Sequence, residues 1–151
     1  MENRRRPQGT RAMPTVLHLF RAPKKRLPME ELEAVQVLTD VGFDKCAHAR
    51  PRGKRQVLLV DCETLEAMDL APGIIRENIT TKGLNVNSLK LGEELKIGDV
   101  RLRISMVCTP CDQLEKLRPN LRKEMWGRRG MLCRVMEGGQ IRRGDAIERI
   151  F

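Results

Sequence analysis

Apolar and polar residues alternate over short distances along most of this chain. Runs rich in β-branched and apolar residues occur at residues 15–20, 34–38, 56–60, 77–81, 94–97, 100–107, 132–136 and 146–150, separated by Gly, Pro and Asp turn signals. Many short strands at this spacing predict a mainly β fold, a closed or nearly closed β-barrel. The clearest alternation is at residues 100–107. Val100, Leu102, Ile104 and Met106 face one side there, and Arg101, Arg103 and Ser105 the other. Two helical pieces interrupt the pattern. Residues 61–68 read as a short helix, and residues 110–126 as a longer one broken before Pro119 and ended by Gly127. Three Gly-containing turns, at Gly92, Gly98 and Gly144, read as chain reversals before strands and not as phosphate loops.

With 151 residues the chain fits one domain able to bury its own core. The division expected is a flexible basic tail at 1–13, which lacks apolar periodicity, and a barrel domain at 14–151. The net charge is +9, of which residues 1–13 hold four Arg and one Glu, so +6 remains in the body. A basic body fits an anionic partner: nucleic acid, a phosphorylated cofactor or an acidic protein surface. Only 3% of residues are aromatic and none is Tyr, which argues against single-strand recognition by base stacking. Five cysteines without an apolar leader run predict a reducing, cytoplasmic setting, and no apolar run reaches the roughly 20 residues that cross a bilayer.

The segment that carries chemistry follows the alternating strand. Cys108-Thr-Pro-Cys111 leads into Asp112-Gln-Leu-Glu115. With Thr109 as N-cap and Pro110 at the first helical position, Cys111 falls in the first turn. There the positive end of the helix favours a thiolate, the form that ligates metal or attacks sulfur, although Asp112 opposes the effect. This reading makes Cys111 more readily ionised than Cys46, Cys62 or Cys133. Cys108 either pairs with Cys111 as a disulfide or simply ends the strand. A structural zinc site is excluded, because no second cysteine pair has suitable spacing. Cys133, in an apolar strand, reads as core filling. His18 and His48 have no spaced partner that would make a metal site.

Several segments taken in order carry a resemblance: His48-Ala-Arg-Pro51, Lys54-Arg-Gln-Val-Leu-Leu-Val60, Pro72-Gly-Ile-Ile-Arg-Glu-Asn-Ile-Thr-Thr-Lys-Gly-Leu84, Cys108-Thr-Pro-Cys111, Gly127-Arg-Arg-Gly-Met131 and Gly138-Gly-Gln-Ile-Arg-Arg-Gly-Asp145. The set resembles the MOSC domain, the module named after the C-terminal part of molybdenum cofactor sulfurase, and in particular its small stand-alone bacterial type. The resemblance covers about residues 14–150. It implies a mostly β barrel and chemistry centred on Cys111, as a persulfide carrier or as a ligand of molybdenum in the pterin cofactor. A similar Arg-x-Asn-Ile segment lies near the cofactor in the related amidoxime-reducing enzymes, and here it falls on Arg76, Asn78 and Ile79. Close relatives read Gly-Asp-Arg-His-Ala-Arg where this chain has Gly42-Phe-Asp-Lys-Cys-Ala-His-Ala-Arg50, with extra residues between Asp44 and His48.

The resemblance further implies a cysteine desulfurase-type sulfur donor, a sulfur acceptor and, for a reductase role, a separate electron-transfer partner. Pyridoxal phosphate would enter only through the desulfurase, since no lysine here stands in a Schiff-base context. Whether the chain turns over a substrate alone is left open. On an extended segment Arg76 and Asn78 share one face and suit a phosphate or a pterin amide, or Asn78 satisfies buried backbone. Lys54, Arg55, Arg128 and Arg129 either add cationic contacts to a phosphorylated ligand or are solvated charge. Two rivals remain. One is a basic surface of Arg118, Arg122, Lys123, Arg128 and Arg129 that binds nucleic acid. The other is a thiol-disulfide oxidoreductase using Cys108 and Cys111, disfavoured because only about 40 residues follow the motif, too few for a thioredoxin-like fold.

Overall fold

The computed structural model describes residues 13–150. The expected basic tail lies outside the described residues except for Met13. Eleven strands are present among the described residues. They are β1 (Thr15–Arg21), β2 (Glu30–Leu32), β3 (Ala34–Leu38), β4 (Gly42–Phe43), β5 (Val57–Asp61), β6 (Ile79–Lys82), β7 (Glu94–Ile97), β8 (Val100–Val107), β9 (Met131–Glu137), β10 (Gly139–Arg142) and β11 (Glu148–Ile150). Two short helices, α1 (Cys62–Ala67) and α2 (Leu121–Glu124), and two 3-10 turns, Val86–Ser88 and Asp112–Lys116, complete the set.

Eight strands form one strongly curled sheet in the order β11-β7-β8-β9-β5-β6-β1-β2, and β10-β3-β4 form a second, three-stranded one. Neighbours are antiparallel except β5 and β6, which run parallel and are joined through α1. The barrel expected from the sequence is not closed: β11 and β2 remain separate edges of the large sheet. In place of a ladder, an isolated bridge between Thr15 and Ala146 spans the seam, with the hydrogen bonds Val16 N–H to Asp145 O, Gly144 N–H to Val16 O and Ile147 N–H to Pro14 O around it. The missing ladder has a local cause. β11 is three residues long, and its preceding segment turns at Gly144 (φ 89°), so too little extended chain remains to zip the edges together.

The large sheet is packed on both faces, which is why Val57–Asp61 is buried at every position. Val57 and Leu59 point into the curl with Leu19, Ile79, Leu102, Ile104 and Val135. Leu58 and Val60 point outward into a second cluster with Leu65, Met68, Leu114, Leu121 and Met125, which the helices supply. Strict alternation would put Ile104 and Met106 on one face, but a bulge intervenes. Met106 pairs with Leu132 and Ile104 with Cys133, leaving Ser105 as the extra residue. Met106 therefore packs with the outer cluster, and Ile104 with the inner one. The single Ser105 O–H has two carbonyl acceptors within reach, that of Leu132 at 3.0 Å and that of Lys54.

The polar face of β8 is ion-paired rather than free. Glu94 takes Arg101 and Arg103 at 2.8 Å each, and the Arg101 hydrogen bond is the chief cause of its lowered pKa. The helix expected at 61–68 is α1, capped by Asp61, whose Oδ1 accepts the Thr64 N–H at 3.2 Å. The helix expected at 110–126 is instead a five-residue 3-10 turn followed by the four-residue α2, with Asn120 left-handed (φ 70°) between them. Pro119 prevents a continuous helix, and the break is wider than the sequence predicts.

Gly130, the residue before β9, has φ 108°, and a Cβ there would overlap the Leu59 carbonyl oxygen. Gly130→Ala should destabilise the fold by on the order of 3 kcal/mol, from positive-φ strain plus overpacking, read as a lower urea midpoint with unchanged m-value.

Candidate anion site and its thiols

The loop between β4 and β5 brings cations to the outer face of the large sheet. From Lys45 to Val60 it contains no acidic residue, yet it carries Lys45, Arg50, Arg52, Lys54 and Arg55. Backbone hydrogen bonds hold it in place: Ala47 N–H to Ala22 O at 2.8 Å, Arg50 N–H to Val41 O at 2.9 Å and Arg52 N–H to Asp40 O at 2.9 Å. Against this loop lies a cavity of about 590 Å³ lined by Arg50, Lys54, Arg55, Arg76, Arg129 and His48, with Cys108 in its wall. A second cavity of about 520 Å³ shares His48, Arg76 and Arg129 with the first and adds Lys25, Lys116 and Cys111. Among the described residues, neither is lined by a carboxylate.

Arg129 is the unusual member. It is 9% exposed, its Nη2 donates to the Ile75 carbonyl at 2.8 Å, and its Nε and Nη1 have no partner among the described residues. A buried cation with two unused donors carries a desolvation cost that an anion in the cavity would relieve. Arg76 stands at φ 68°, and its guanidinium donates to the Leu27 and Lys24 carbonyls while still lining both cavities. Together these groups fit a ligand with a phosphate or comparable oxyanion end.

The residues named from sequence divide as follows. Arg76, Arg129, Lys54 and Arg55 meet at the first cavity, and Cys111 lies in the second. Arg128 turns away from its neighbour Arg129 to a separate cavity, and its Nη1 approaches Met68 Sδ at 3.5 Å. Asn78 lines neither cavity. It does not share an extended face with Arg76, because the strand begins only at Ile79 and Arg76 is left-handed. Asn78 is fully buried, accepting the Leu58 N–H at 2.9 Å and donating to the Phe20 carbonyl at 3.2 Å. Because these bonds fix its amide, Oδ1 faces His48, whose Nδ1 donates to it at 3.2 Å.

Cys111 is exposed, and among the described cysteines, all free thiols, the other four are buried. Its position differs from expectation. It is itself the N-cap of the 3-10 turn, with extended backbone (φ −128°, ψ 173°), not a residue of an α-helical first turn. The macrodipole argument therefore loses its basis here, since five residues of 3-10 turn do not build an α-helical dipole. Burial pushes the Cys108 thiol up, against the charges of Arg129 and Arg55. Burial also raises Cys62 to about 11 and drives Cys133 well above the usual thiol range. Cys46 runs opposite to expectation. Burial raises it, but the His48 side chain and the Ala22 and His48 N–H groups outweigh that and bring it down to about 7.

The rival basic surface does not form one cationic face. Arg118 pairs with Glu124 at 2.9 Å, Arg122 with Asp112 at 2.5 Å, and Arg129 is buried. The thioredoxin-like rival fails on topology: the strand before Cys108 belongs to an antiparallel meander. Arg50, Lys25, Lys116 and the Cys46 environment escaped the sequence reading. The acid-free stretch after Asp44 was the signal available for Arg50.

A family model of the MOSC domain matches residues 54–148, more than half of the chain. Solved structures share the fold. The YuaD protein from Bacillus subtilis superposes with a TM-score of 0.78 at 19% identity, covering 91% of this chain and 96% of that one. YiiM from Geobacillus stearothermophilus gives 0.75 at 17% identity, covering 91% and 75%. YiiM from Escherichia coli gives 0.67 at 17%, covering 91% and 68%. No curated protein sequence is close enough to be matched.

Arg129→Met removes an unpaired buried charge and keeps most of the volume. It should leave thermal stability equal or higher while weakening sulfate binding, measured by calorimetry, by about 1.5–3 kcal/mol, the range for hydrogen bonds to charged groups.

Proposed function

This chain belongs to the MOSC family, and on that premise we propose that it binds a phosphorylated molybdenum-pterin cofactor, with Cys111 as the soft ligand offered to the metal. The family is associated with molybdenum-cofactor and sulfur-related functions. The observation that carries the reading is the buried Arg129 guanidinium, whose Nε and Nη1 have no partner among the described residues, in a cavity that those residues line with five cationic side chains and no carboxylate. Arg129, Arg55 and Lys54 would hold the phosphate end. Arg76, fixed by its backbone contacts, stands on the wall common to both cavities and would orient the remainder. Bound there, the cofactor would supply a redox-active metal, and Cys111 would supply a thiolate sulfur. Of the two other residues counted with the site from sequence, Asn78 acts on this reading at a distance from the ligand, by holding His48, and Arg128 has no part in it.

Sulfur carriage is the second reading, and the exposure of Cys111 favours it, because a persulfide carrier must meet a donor and an acceptor. In that role a cysteine desulfurase-type protein would be the donor. As a reductase component the chain would need an electron-transfer partner. No helix among the described residues is long and apolar enough to cross a membrane.

Cys111→Ser should leave the fold intact, by circular dichroism, while abolishing molybdenum retention. Arg76→Ala should weaken cofactor binding by about 1.5–3 kcal/mol, again the range for a charged hydrogen bond. Metal analysis and pterin fluorescence on the same purified samples check both. Full metal occupancy in Cys111→Ser would remove the thiol from the site, and pterin-free protein that still takes up sulfur at Cys111 would favour the carrier reading.

A further inference from the structure

The first cavity holds more than an oxyanion needs, and its floor differs in character from its walls. A tetrahedral oxyanion takes the room of a few waters, each about 30 Å³ in the liquid. Most of the cavity's volume of about 590 Å³ would stay unfilled. Leu58, Leu132 and Met106 line it together. They stand side by side on β5, β9 and β8, because Leu132 pairs with Leu58 on one side and with Met106 on the other. All three belong to the outer face of the sheet, to which the bulge at Ser105 returns Met106. With neighbouring strands about 4.8 Å apart, the row makes an apolar strip roughly 10 Å across. The Ser105 O–H, with the Lys54 carbonyl among its acceptors, ties the cationic loop to this floor.

An oxyanion on Arg129 would satisfy the unpartnered donors and leave the strip facing water. The metal end of the cofactor does not cover it either. Cys111 lines only the second cavity, and the strip lines only the first. What suits both parts of the first cavity is a phosphate ester whose other end is a flat ring. The side chains there also discriminate between rings. Apart from His48, on the wall common to both cavities, and Cys108, every hydrogen-bonding side chain lining the cavity is a lysine or arginine, which donates and never accepts. A ring edge carrying carbonyl and ring-nitrogen acceptors finds partners among them, and an edge carrying an amino group does not.

We propose that the first cavity is a nucleotide site that favours guanine, with the phosphate on Arg129, the base flat on Leu58, Leu132 and Met106, and its O6 and N7 edge met by Arg50. Guanosine monophosphate is the simplest ligand of this class. Arginine pairs with that edge through two hydrogen bonds, and its guanidinium also stacks on ring faces. Adenine would set its amino group against the same donors. The place of the phosphate rests on the proposed function's reading of the cavity as an anion site, whereas the apolar floor does not.

The test titrates the full chain with inorganic phosphate, guanosine monophosphate and adenosine monophosphate by calorimetry. The guanine nucleotide should bind at least about tenfold tighter than phosphate and about tenfold tighter than the adenine nucleotide, since a good bidentate pair discriminates by that order. Arg129→Met should weaken phosphate and both nucleotides alike. Met106→Gln should weaken the nucleotides and spare phosphate, and Arg50→Gln should narrow the preference for guanine, because glutamine also accepts. In the wild type, bound guanosine monophosphate should slow alkylation of Cys108, in the wall of this cavity, and leave Cys111 unprotected.

Phosphate that binds and is lost in Arg129→Met, with guanosine monophosphate no tighter, overturns the nucleotide and leaves the anion site standing. Adenine bound as tightly as guanine overturns the reading of the ring edge. Protection of Cys111 in place of Cys108, or nucleotide binding indifferent to both Arg129→Met and Met106→Gln, puts the ligand elsewhere and overturns the site. If an unphosphorylated pterin displaces the nucleotide, the floor belongs to the pterin ring, which overturns this proposal and keeps the cofactor reading. Binding of neither phosphate nor nucleotide overturns both. Should Met106→Gln fail to fold, the wild-type affinities and the Cys108 protection still decide.

Discussion

Asn78 is the tie on which the site's geometry depends. It lies at the point where β1 and β5 have no strand between them, because β6 begins one residue later. Its backbone N–H donates to the Leu58 carbonyl at 2.9 Å and its carbonyl accepts the Phe20 N–H at 2.8 Å. Its side chain repeats the same two connections, accepting the Leu58 N–H and donating to the Phe20 carbonyl. One residue therefore satisfies four buried backbone groups whose loss would cost more than any surface contact nearby. Only after that are its remaining contacts available to the loop, where they orient His48 and touch the Cys46 sulfur.

The net positive charge is divided unequally over the molecule. Elsewhere several of the basic residues are matched by acids: Arg101 and Arg103 by Glu94, Arg134 by Asp40 at 2.6 Å, Arg149 by Glu93 at 2.5 Å. The cavities receive the cations left over. Their field is set less by how many basic residues the chain has than by the absence of acids from one loop. A surface with the same total charge evenly mixed would show no preference for an oxyanion at one place.

How much of this was readable beforehand follows from what is local. β3, β7 and β8 match their predicted bounds, because alternation and flanking turns are encoded within each segment. β2, β4 and β10 were missed: these strands of two to four residues carry too few apolar positions to show a period and owe their conformation to the partner that pairs with them. Failure to close the barrel depends on a seam between distant segments, and no periodicity reports that. Among the residues that line the cavities, Arg76 and Cys111 had been singled out through family motifs, but Arg128 and Arg129, adjacent and identical in type, were not separable. Only the packing decides that one lines the basic cavity and the other Met68. The surroundings of Cys46 were invisible for a related reason: the Ala22 N–H and the Asn78 amide that reach its sulfur come from segments far from it in the chain.

The unpartnered charge of Arg129 has a consequence for how much of this protein persists. A group that is costly when the cavity lacks an anion and satisfied when it holds one makes occupancy part of folding stability, by RT ln(1 + [L]/Kd), or about 2.7 kcal/mol at a hundredfold excess over Kd. Chains that fold when the ligand is scarce would spend more time open to proteases than chains that fold when it is plentiful, and differences of this size alter steady-state abundance several-fold. The amount of folded protein would then track the supply of its ligand without any dedicated regulator.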